Sequence, residues 1–174
     1  MSSINYDLKK IRGIAFDVDG VLSPSMIPLA PDGVPMRMVN IKDGYALQLA
    51  VKHGYKIAII FGADTEAIRV RFGGLGITDL FMGTAVKLPV LQSWMADNGL
   101  APEEVAFAGD DIPDFEAMQA VGLSVAPADA DVEIRRIATY VSPFEGGHGV
   151  GRDIIEQVMR AHGDWMADNR AFGW

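Results

Sequence analysis

The chain contains no cysteine among its 174 residues. Disulfide bonds, thiolate nucleophiles and sulfur-ligated metals are therefore excluded. The first ten residues hold no apolar core of a signal peptide, and no later segment reaches the uninterrupted apolar length that spans a bilayer. We therefore expect a cytoplasmic location and no membrane partner.

Positive charge is also scarce. Lysine and arginine number 15 against 23 acidic residues, which gives a formal net charge of −8. This balance disfavours a general affinity for nucleic acid or anionic lipid, so any anionic substrate must be held by local cations and a metal. The length and the hydrophobic content of 49% suit one compact domain over residues 1–174.

Apolar runs alternate with amphipathic segments along the chain, which is the pattern of a parallel sheet covered by helices. The predicted strands cover residues 11–17, 56–61, 79–81, 105–108, 123–125 and 139–141. The predicted helices cover residues 43–52, 65–72, 86–98, 113–121, 131–137 and 150–161. Four prolines interrupt residues 23–40, and local alternation there predicts a projecting β-hairpin insertion over residues 25–40.

Two acidic clusters directly follow predicted strands. The first contains Asp17 and Asp19, and the second contains Asp110, Asp111 and Asp114. Open α/β sheets bind ligands at the carboxyl ends of their strands. If the two strands are neighbours, Asp17, Asp19 and Asp110 can converge on one hard cation, with Asp114 placed to orient them. The alternative for the second cluster is a helix cap that begins at Asp111.

Phosphate chemistry is the reaction class that these clusters favour. An aspartate at a strand end can attack phosphorus, and a second aspartate two residues later can act as acid and base. Lys87 follows a loop and starts a predicted helix. A lysine at such a place is usually just solvated, but several carboxylates beside a phosphate need a fixed cation. We therefore expect transfer or hydrolysis of phosphate esters.

The order of these motifs resembles that of the haloacid dehalogenase superfamily. The matching segments are residues 17–22, residues 59–62, Lys87 and residues 109–114. More narrowly, the chain is similar to the capless 3-deoxy-D-manno-octulosonate 8-phosphate phosphatases and their sialic-acid-type relatives. The segments that carry this narrower likeness are residues 40–45, 75–77, 121–126 and 146–149. The resemblance extends from about residue 11 to residue 160.

The resemblance implies a Rossmann-like three-layer α/β/α fold without a cap domain, a Mg²⁺ cofactor and an aspartyl-phosphate intermediate. Asp17 would be the nucleophile and a metal ligand. Asp19 would bind the metal through its backbone carbonyl and serve as acid and base. Asp110 would complete the metal shell, and Asp111 or Asp114 would support it.

The resemblance also implies phosphate contacts and an assembly. Lys87 would neutralise charge and bind phosphate together with Gly62. A small open site excludes water poorly, so neighbouring subunits are expected to close it. In the resembling family this is done by a homotetramer, whose hairpins and tails would here be residues 25–40 and 164–174. The alternative for the aromatic-rich tail is to fold back on its own subunit.

Phe61 departs from the superfamily pattern, which places serine or threonine there to bind a phosphoryl oxygen. The missing hydroxyl forfeits a hydrogen bond to a charged group, on the order of 1.5–3 kcal/mol. The alternative is that Phe61 simply packs at the end of an apolar strand. A weakened phosphatase, a compensated phosphatase and a weakly active phosphosugar-binding protein are all compatible with this residue.

The sugar specificity depends on less distinctive positions. Ala63 stands where octulosonate-phosphate phosphatases tend to have arginine and some nine-carbon-sugar relatives have glutamate. We expect 3-deoxy-D-manno-octulosonate 8-phosphate as the substrate, with a nine-carbon keto-deoxy or sialic acid 9-phosphate as the alternative. The candidate sugar contacts are Lys42, Asp43, Gly44, Ala63, Arg69, Arg71, His148 and Arg152. The alternative for Arg69 and Arg71, which we favour, is that they are solvated helix residues, since long charged side chains mostly lie on surfaces.

Overall fold

A computed structural model describes residues 4–174 and contains one sheet of six parallel strands. The strands are β1 (Gly13–Phe16), β2 (Lys56–Ile60), β3 (Asp79–Phe81), β4 (Val105–Ala108), β5 (Leu123–Ala126) and β6 (Tyr140–Val141). Their spatial order is β3-β2-β1-β4-β5-β6. The chain therefore winds outward in opposite directions from β1 and β4, and a crevice forms at the carboxyl ends of these two strands.

Helices cover both faces of the sheet. They are α1 (Ile41–Lys52), α2 (Glu66–Gly73), α3 (Lys87–Asp97), α4 (Phe115–Gln119), α5 (Val132–Ile137) and α6 (Val150–His162). Along β1, Ile14 and Phe16 join one apolar cluster with α1, α2 and α6, whereas Ala15 joins a second cluster with α3, α4 and α5. Since successive strand side chains point to opposite faces, the sheet is buried on both sides in a three-layer α/β/α arrangement.

The predicted helices and strands are all present, with differences at their ends. The first strand begins at Gly13 instead of residue 11, because a 3₁₀-helix over Leu8–Lys10 precedes it and Ile11 caps that helix. The predicted helix over residues 113–121 is divided into a 3₁₀-helix (Ile112–Asp114) and α4. Among residues 4–174, no helix is both long and apolar enough to cross a bilayer.

The connection between β1 and α1 contains no strand or helix, so no cap domain is inserted there. One antiparallel bridge joins Leu29 to Pro35 within this connection. The hairpin predicted over residues 25–40 is therefore not confirmed. The physical reason is the proline content, because proline has no N–H group with which to extend a ladder of hydrogen bonds.

The tail packs on its own chain. The Trp165 ring is buried, and the Tyr45 hydroxyl of α1 donates a hydrogen bond to the Ala171 carbonyl. The Tyr45 ring also meets the rings of Trp165 and Trp174 edge to face, each at 6.1 Å between centroids. Within this chain the tail thus adopts the folded-back arrangement, the alternative to docking on a neighbouring subunit.

Candidate active site

Asp17 lies directly beyond the end of β1, at the crevice between β1 and β4. Its backbone N–H donates to the Ala108 carbonyl at 3.0 Å, which extends the pairing of the two strands by one residue. The Asp17 carboxylate is buried and accepts the Val18 N–H through Oδ1 at 2.7 Å. Oδ2 remains available to a neighbouring cation.

That cation is Lys87, the first residue of α3. Its Nζ lies 2.9 Å from Asp17 Oδ2 and 2.6 Å from Asp114 Oδ1, and its side chain is only 4% exposed. Burial by itself lowers the pKa of Lys87, but the two carboxylates outweigh burial and raise the pKa above its ordinary value. Lys87 is therefore a fixed positive charge between two elements that are distant in sequence.

Three carboxylates gather around this lysine. Oxygen atoms of Asp17, Asp110 and Asp114 all lie within 4.8 Å of one another. Asp114 is held in place because its Oδ2 accepts the N–H groups of Asp110 at 3.0 Å and Asp111 at 3.4 Å. Gly20 provides room for this packing, since a Cβ there would lie 1.9 Å from Asp110 Oδ2.

The carboxylates have strongly shifted acidities. Burial, and then the neighbouring Asp114, raise the pKa of Asp17 to about 7. Burial, followed by the charges of Asp17 and Asp114, raises the pKa of Asp110 to about 8. Negative charge is therefore in excess, and the oxygen-only donor set is the type that Mg²⁺ prefers. The residues present fit a hard divalent cation.

The carboxylates face a cavity of about 390 Å³. Five aspartates and one lysine line it, namely Asp17, Asp19, Asp110, Asp111, Asp114 and Lys87. The lining also includes Phe61, Gly62 and Ala63, which follow β2. Asp111 also caps the following 3₁₀-helix by accepting the Ile112 N–H at 2.8 Å. A helix cap and an acidic site therefore coexist in the second cluster.

Asp19 is outside the carboxylate triad. Its side chain forms an ion pair with Arg37, whose Nε lies 2.7 Å from Asp19 Oδ1. Sequence reasoning missed Arg37, because this residue lies in the proline-rich connection. The only signal in the sequence is that Arg37 is the single basic residue between positions 23 and 40.

The candidate sugar contacts are dispersed. Ala63 lines the catalytic cavity, whereas Lys42, His148 and Arg152 line a separate cavity of about 430 Å³. The exposed side chain of Arg69 pairs with Asp64.

Three further candidates pack within the fold. Asp43 is buried and its Oδ1 accepts the Arg152 N–H at 2.7 Å, near the start of α6. Burial raises the pKa of Asp43 to about 6. Gly44 leaves space for Arg71, because a Cβ at position 44 would lie 2.3 Å from Arg71 Nη2. The geometry thus gives Asp43 and Gly44 packing roles, and their part in sugar binding stays a prediction.

Comparisons with known proteins agree with this geometry. The family model of haloacid dehalogenase-like hydrolases matches residues 46–154. The 3-deoxy-D-manno-octulosonate 8-phosphate phosphatase KdsC of Escherichia coli K12 is 37% identical over 155 residues, which are 89% of this chain and 82% of that protein.

Solved structures give the same result. The crystal structure of 3-deoxy-D-manno-octulosonate 8-phosphate phosphatase from Yersinia pestis matches with a TM-score of 0.87 and 34% identity, over 91% of this chain and 85% of that one. The Moraxella catarrhalis enzyme of the same name, solved with magnesium, phosphate and KDO, matches with a TM-score of 0.85 and 29% identity, over 89% of each chain. The chain belongs to the haloacid dehalogenase-like hydrolases, within the family of the capless 3-deoxy-D-manno-octulosonate 8-phosphate phosphatases, and is a phosphoric monoester hydrolase.

Proposed function

We propose that the chain is a Mg²⁺-dependent phosphatase of an acidic keto-deoxy sugar phosphate, 3-deoxy-D-manno-octulosonate 8-phosphate in the first place. The observation that carries this proposal is the buried Asp17–Lys87–Asp114 arrangement, with Asp110 beside it, at the mouth of the crevice. The substrate class is supported by the relatives of that name and by the neighbour crystallised with KDO and phosphate.

Asp17 is the proposed nucleophile. Its carboxylate attacks phosphorus, so that an Asp17–phosphorus bond forms while the bond from phosphorus to the sugar oxygen breaks. Asp19 donates a proton to the departing sugar oxygen. Asp19 then takes a proton from a water molecule that attacks the phosphorylated Asp17, which releases inorganic phosphate and restores the Asp17 carboxylate and the protonated Asp19.

Fixed positive charge makes the attack possible, since a carboxylate and a phosphate repel each other. Lys87 lies 2.9 Å from the Asp17 oxygen and is positioned to offset charge on the phosphoryl group, and Gly62 lines the same cavity as a further phosphate contact. Asp17 and Asp110, with the backbone carbonyl of Asp19, would hold Mg²⁺, and Asp111 and Asp114 would support these ligands. A bound Mg²⁺ neutralises charge between the carboxylates and the phosphate.

A homotetramer with shared active sites is the proposed assembly. Its support is a set of exposed apolar side chains, which includes Met26 and Met38 in the connection and Phe172 and Trp174 in the tail. Exposed apolar side chains of this size are common at protein–protein contacts. The cytoplasmic location stays an expectation from the sequence.

Phosphate release from a panel of sugar phosphates tests the function. The panel contains the eight-carbon keto-deoxy 8-phosphate, a nine-carbon keto-deoxy 9-phosphate and sialic acid 9-phosphate, each with Mg²⁺ and with a chelator. We expect the fastest turnover on the eight-carbon substrate and none with the chelator. Faster turnover on a nine-carbon substrate would assign the alternative specificity.

Asp17→Asn is the matched control, since it keeps the side-chain shape and removes the nucleophile. We expect a folded protein by circular dichroism that releases no phosphate. Near-normal turnover by this variant would exclude the aspartyl-phosphate route. Tight sugar-phosphate binding by the unmodified chain, without turnover on any substrate, would instead indicate a phosphosugar-binding protein.

A further inference from the structure

Arg37 is an inward-pointing residue in an exposed segment. Its side chain is 9% exposed, whereas the residues on either side, Met36 and Met38, are 49% and 55% exposed. A long charged side chain is rarely buried without a dedicated partner. The burial of Arg37 therefore indicates a specific role for the contacts that it makes.

Arg37 grips Asp19 at two points. Its Nε–H donates to Asp19 Oδ1 at 2.7 Å, and its Nη2 donates to Asp19 Oδ2 at 2.9 Å. Two parallel bonds from a planar guanidinium fix both the position and the plane of a carboxylate, which a single bond from an ammonium group cannot do. The side chain of Asp19 is thus held in one orientation at the edge of the catalytic cavity.

Phe61 supports the other side of the same guanidinium. The central carbon of the Arg37 guanidinium lies over the Phe61 ring at 4.8 Å from the ring centroid, which is a cation–π contact. The Phe61 backbone is fixed, because its N–H donates to Phe81 and its carbonyl accepts the Thr84 N–H, both at 2.9 Å. The ring is therefore a rigid surface for the arginine.

We propose that Phe61 and Arg37 form a positioning pair, in which the aromatic ring packs against the guanidinium and the guanidinium orients the Asp19 carboxylate to take a proton from the attacking water. The proposal rests on the proposed function only for the role of Asp19. The positioning pair also gives Phe61 a role at a position where the superfamily has a hydroxyl group. Phe61→Thr would regain a hydroxyl group but remove the aromatic ring against which the Arg37 guanidinium packs. We therefore expect this variant to have a lower kcat than the parent.

Steady-state kinetics test the pair through matched substitutions. Arg37→Met should lower kcat on the order of tenfold to a hundredfold, with a smaller change in KM, because the Asp19 carboxylate loses its orientation toward the attacking water. Arg37→Lys keeps the positive charge but cannot form the two parallel hydrogen bonds to Asp19, so it should recover only part of the lost kcat. Phe61→Leu should lower kcat, whereas Phe61→Tyr keeps the ring and should stay close to the parent.

A double-mutant cycle tests whether the two residues act together. If Phe61 acts through Arg37, the Phe61→Leu exchange should have little further effect in the Arg37→Met background. Full multiplication of the two losses, or an unchanged kcat in Arg37→Met, would overturn the proposal. Arg136→Met is the control, since Arg136 pairs with Glu133 on the exposed surface of α5 and should leave kcat unchanged.

A magnetic-resonance experiment on the metal-free protein needs no catalytic activity. The Arg37 Nε–H signal, assigned by its loss in Arg37→Met, should be shifted by the aromatic ring and should exchange slowly with water. We expect Phe61→Leu to abolish the ring shift, Phe61→Tyr to keep it, and Asp19→Asn to accelerate the exchange.

A signal that responds neither to Phe61→Leu nor to Asp19→Asn would overturn the pair, whatever the phosphatase assay shows. Conversely, a chain without phosphatase activity whose signal behaves as expected would disprove the proposed function and retain the Phe61–Arg37–Asp19 contact. In that case the contact would have no role in turnover, and the positioning role would be overturned with the function.

Discussion

Replacing Asp110 by asparagine is expected to stabilise the metal-free protein and to remove its response to Mg²⁺. Asp110 stands among the carboxylates of Asp17 and Asp114, and burial together with these charges raises its pKa to about 8. The amide of asparagine has nearly the same shape, so it fits the space that Gly20 leaves beside position 110. The exchange thus removes one of the crowded charges with little change in packing.

The magnitude follows from the shift in pKa. The pKa of Asp110 moves from its ordinary 3.8 to about 8. At about 1.4 kcal/mol for each pKa unit, the ceiling is about 6 kcal/mol at high pH. Because Asp110 is partly solvated and shares protons with Asp17, we expect about 2 kcal/mol. For a chain of this size that free energy corresponds to a rise of about 4–8 °C in Tm.

The sign of the pH dependence is determined by the raised pKa. Below the pKa that Asp110 has in the unfolded state, both the folded and the unfolded parent hold the Asp110 proton. As pH rises from there toward the folded-state pKa of about 8, the parent loses stability. The advantage of Asp110→Asn should therefore be small near pH 5 and grow steadily to about pH 8. Thermal denaturation in a chelating buffer, followed by circular dichroism across this interval, measures the difference.

Mg²⁺ provides the second half of the experiment. A ligand at about one hundred times its Kd stabilises a protein by about 2.7 kcal/mol. The Tm of the parent should therefore rise on addition of Mg²⁺. The Tm of Asp110→Asn should rise much less. Asp7→Asn is the matched control, because it keeps the capping ability of the side chain at an exposed position that does not line the catalytic cavity. An Asp110→Asn protein that is less stable than the parent at high pH, or equally responsive to Mg²⁺, would show that the Asp110 carboxylate is neither a crowded charge nor a metal ligand.

Three further predictions follow from the same geometry. Lys87→Met should lower Tm, because breaking a buried ion pair leaves uncompensated carboxylates at a cost of about 3–5 kcal/mol. It should also abolish phosphate release. Melting curves measure the first effect and phosphate assays measure the second. Gly20→Ala should lower Tm and activity, since φ is +85° there and the new methyl group collides with Asp110, whereas an unchanged Tm would contradict this packing. Deletion of the residues after Gly163 should lower Tm by roughly 6–12 °C, because about 3 kcal/mol is lost with the buried Trp165 ring that packs on Tyr45. An unchanged Tm would contradict the folded-back tail. Light scattering on the same variant shows whether the tail also contributes to the assembly.

The fold class and the acidic clusters were predictable because their signals are local. A buried parallel strand is a short apolar run, and the first polar residue after it marks its carboxyl end. Asp17 after β1 and Asp110 after β4 both follow this rule. The hairpin over residues 25–40 was a weaker inference, because alternation over four residues cannot override the proline-rich sequence before it.

The contacts of individual side chains were less predictable. The sequence suggested Asp43 as a sugar contact, yet its carboxylate accepts a backbone N–H more than one hundred residues away in the chain. Phe61 was treated mainly as a missing hydroxyl, but its ring also carries Arg37. Neither contact has a local pattern, since both depend on how distant elements pack.

An α/β phosphohydrolase domain with two acidic strand ends and a lysine between them could be inferred from the order of the residues. Periodicity and residue order are sufficient for that, because strands, helices and their ends are defined by neighbouring residues. Which side chains contact each other depends on the three-dimensional packing of the chain. The adjacency of β1 and β4 and the start of α3 bring Asp17, Lys87 and Asp114 within hydrogen-bonding distance, and the return of the connection brings Arg37 to Asp19. These contacts between distant side chains depend on the packing of the whole chain, because each buried charged group needs an oppositely charged or hydrogen-bonding partner that also fits the available space.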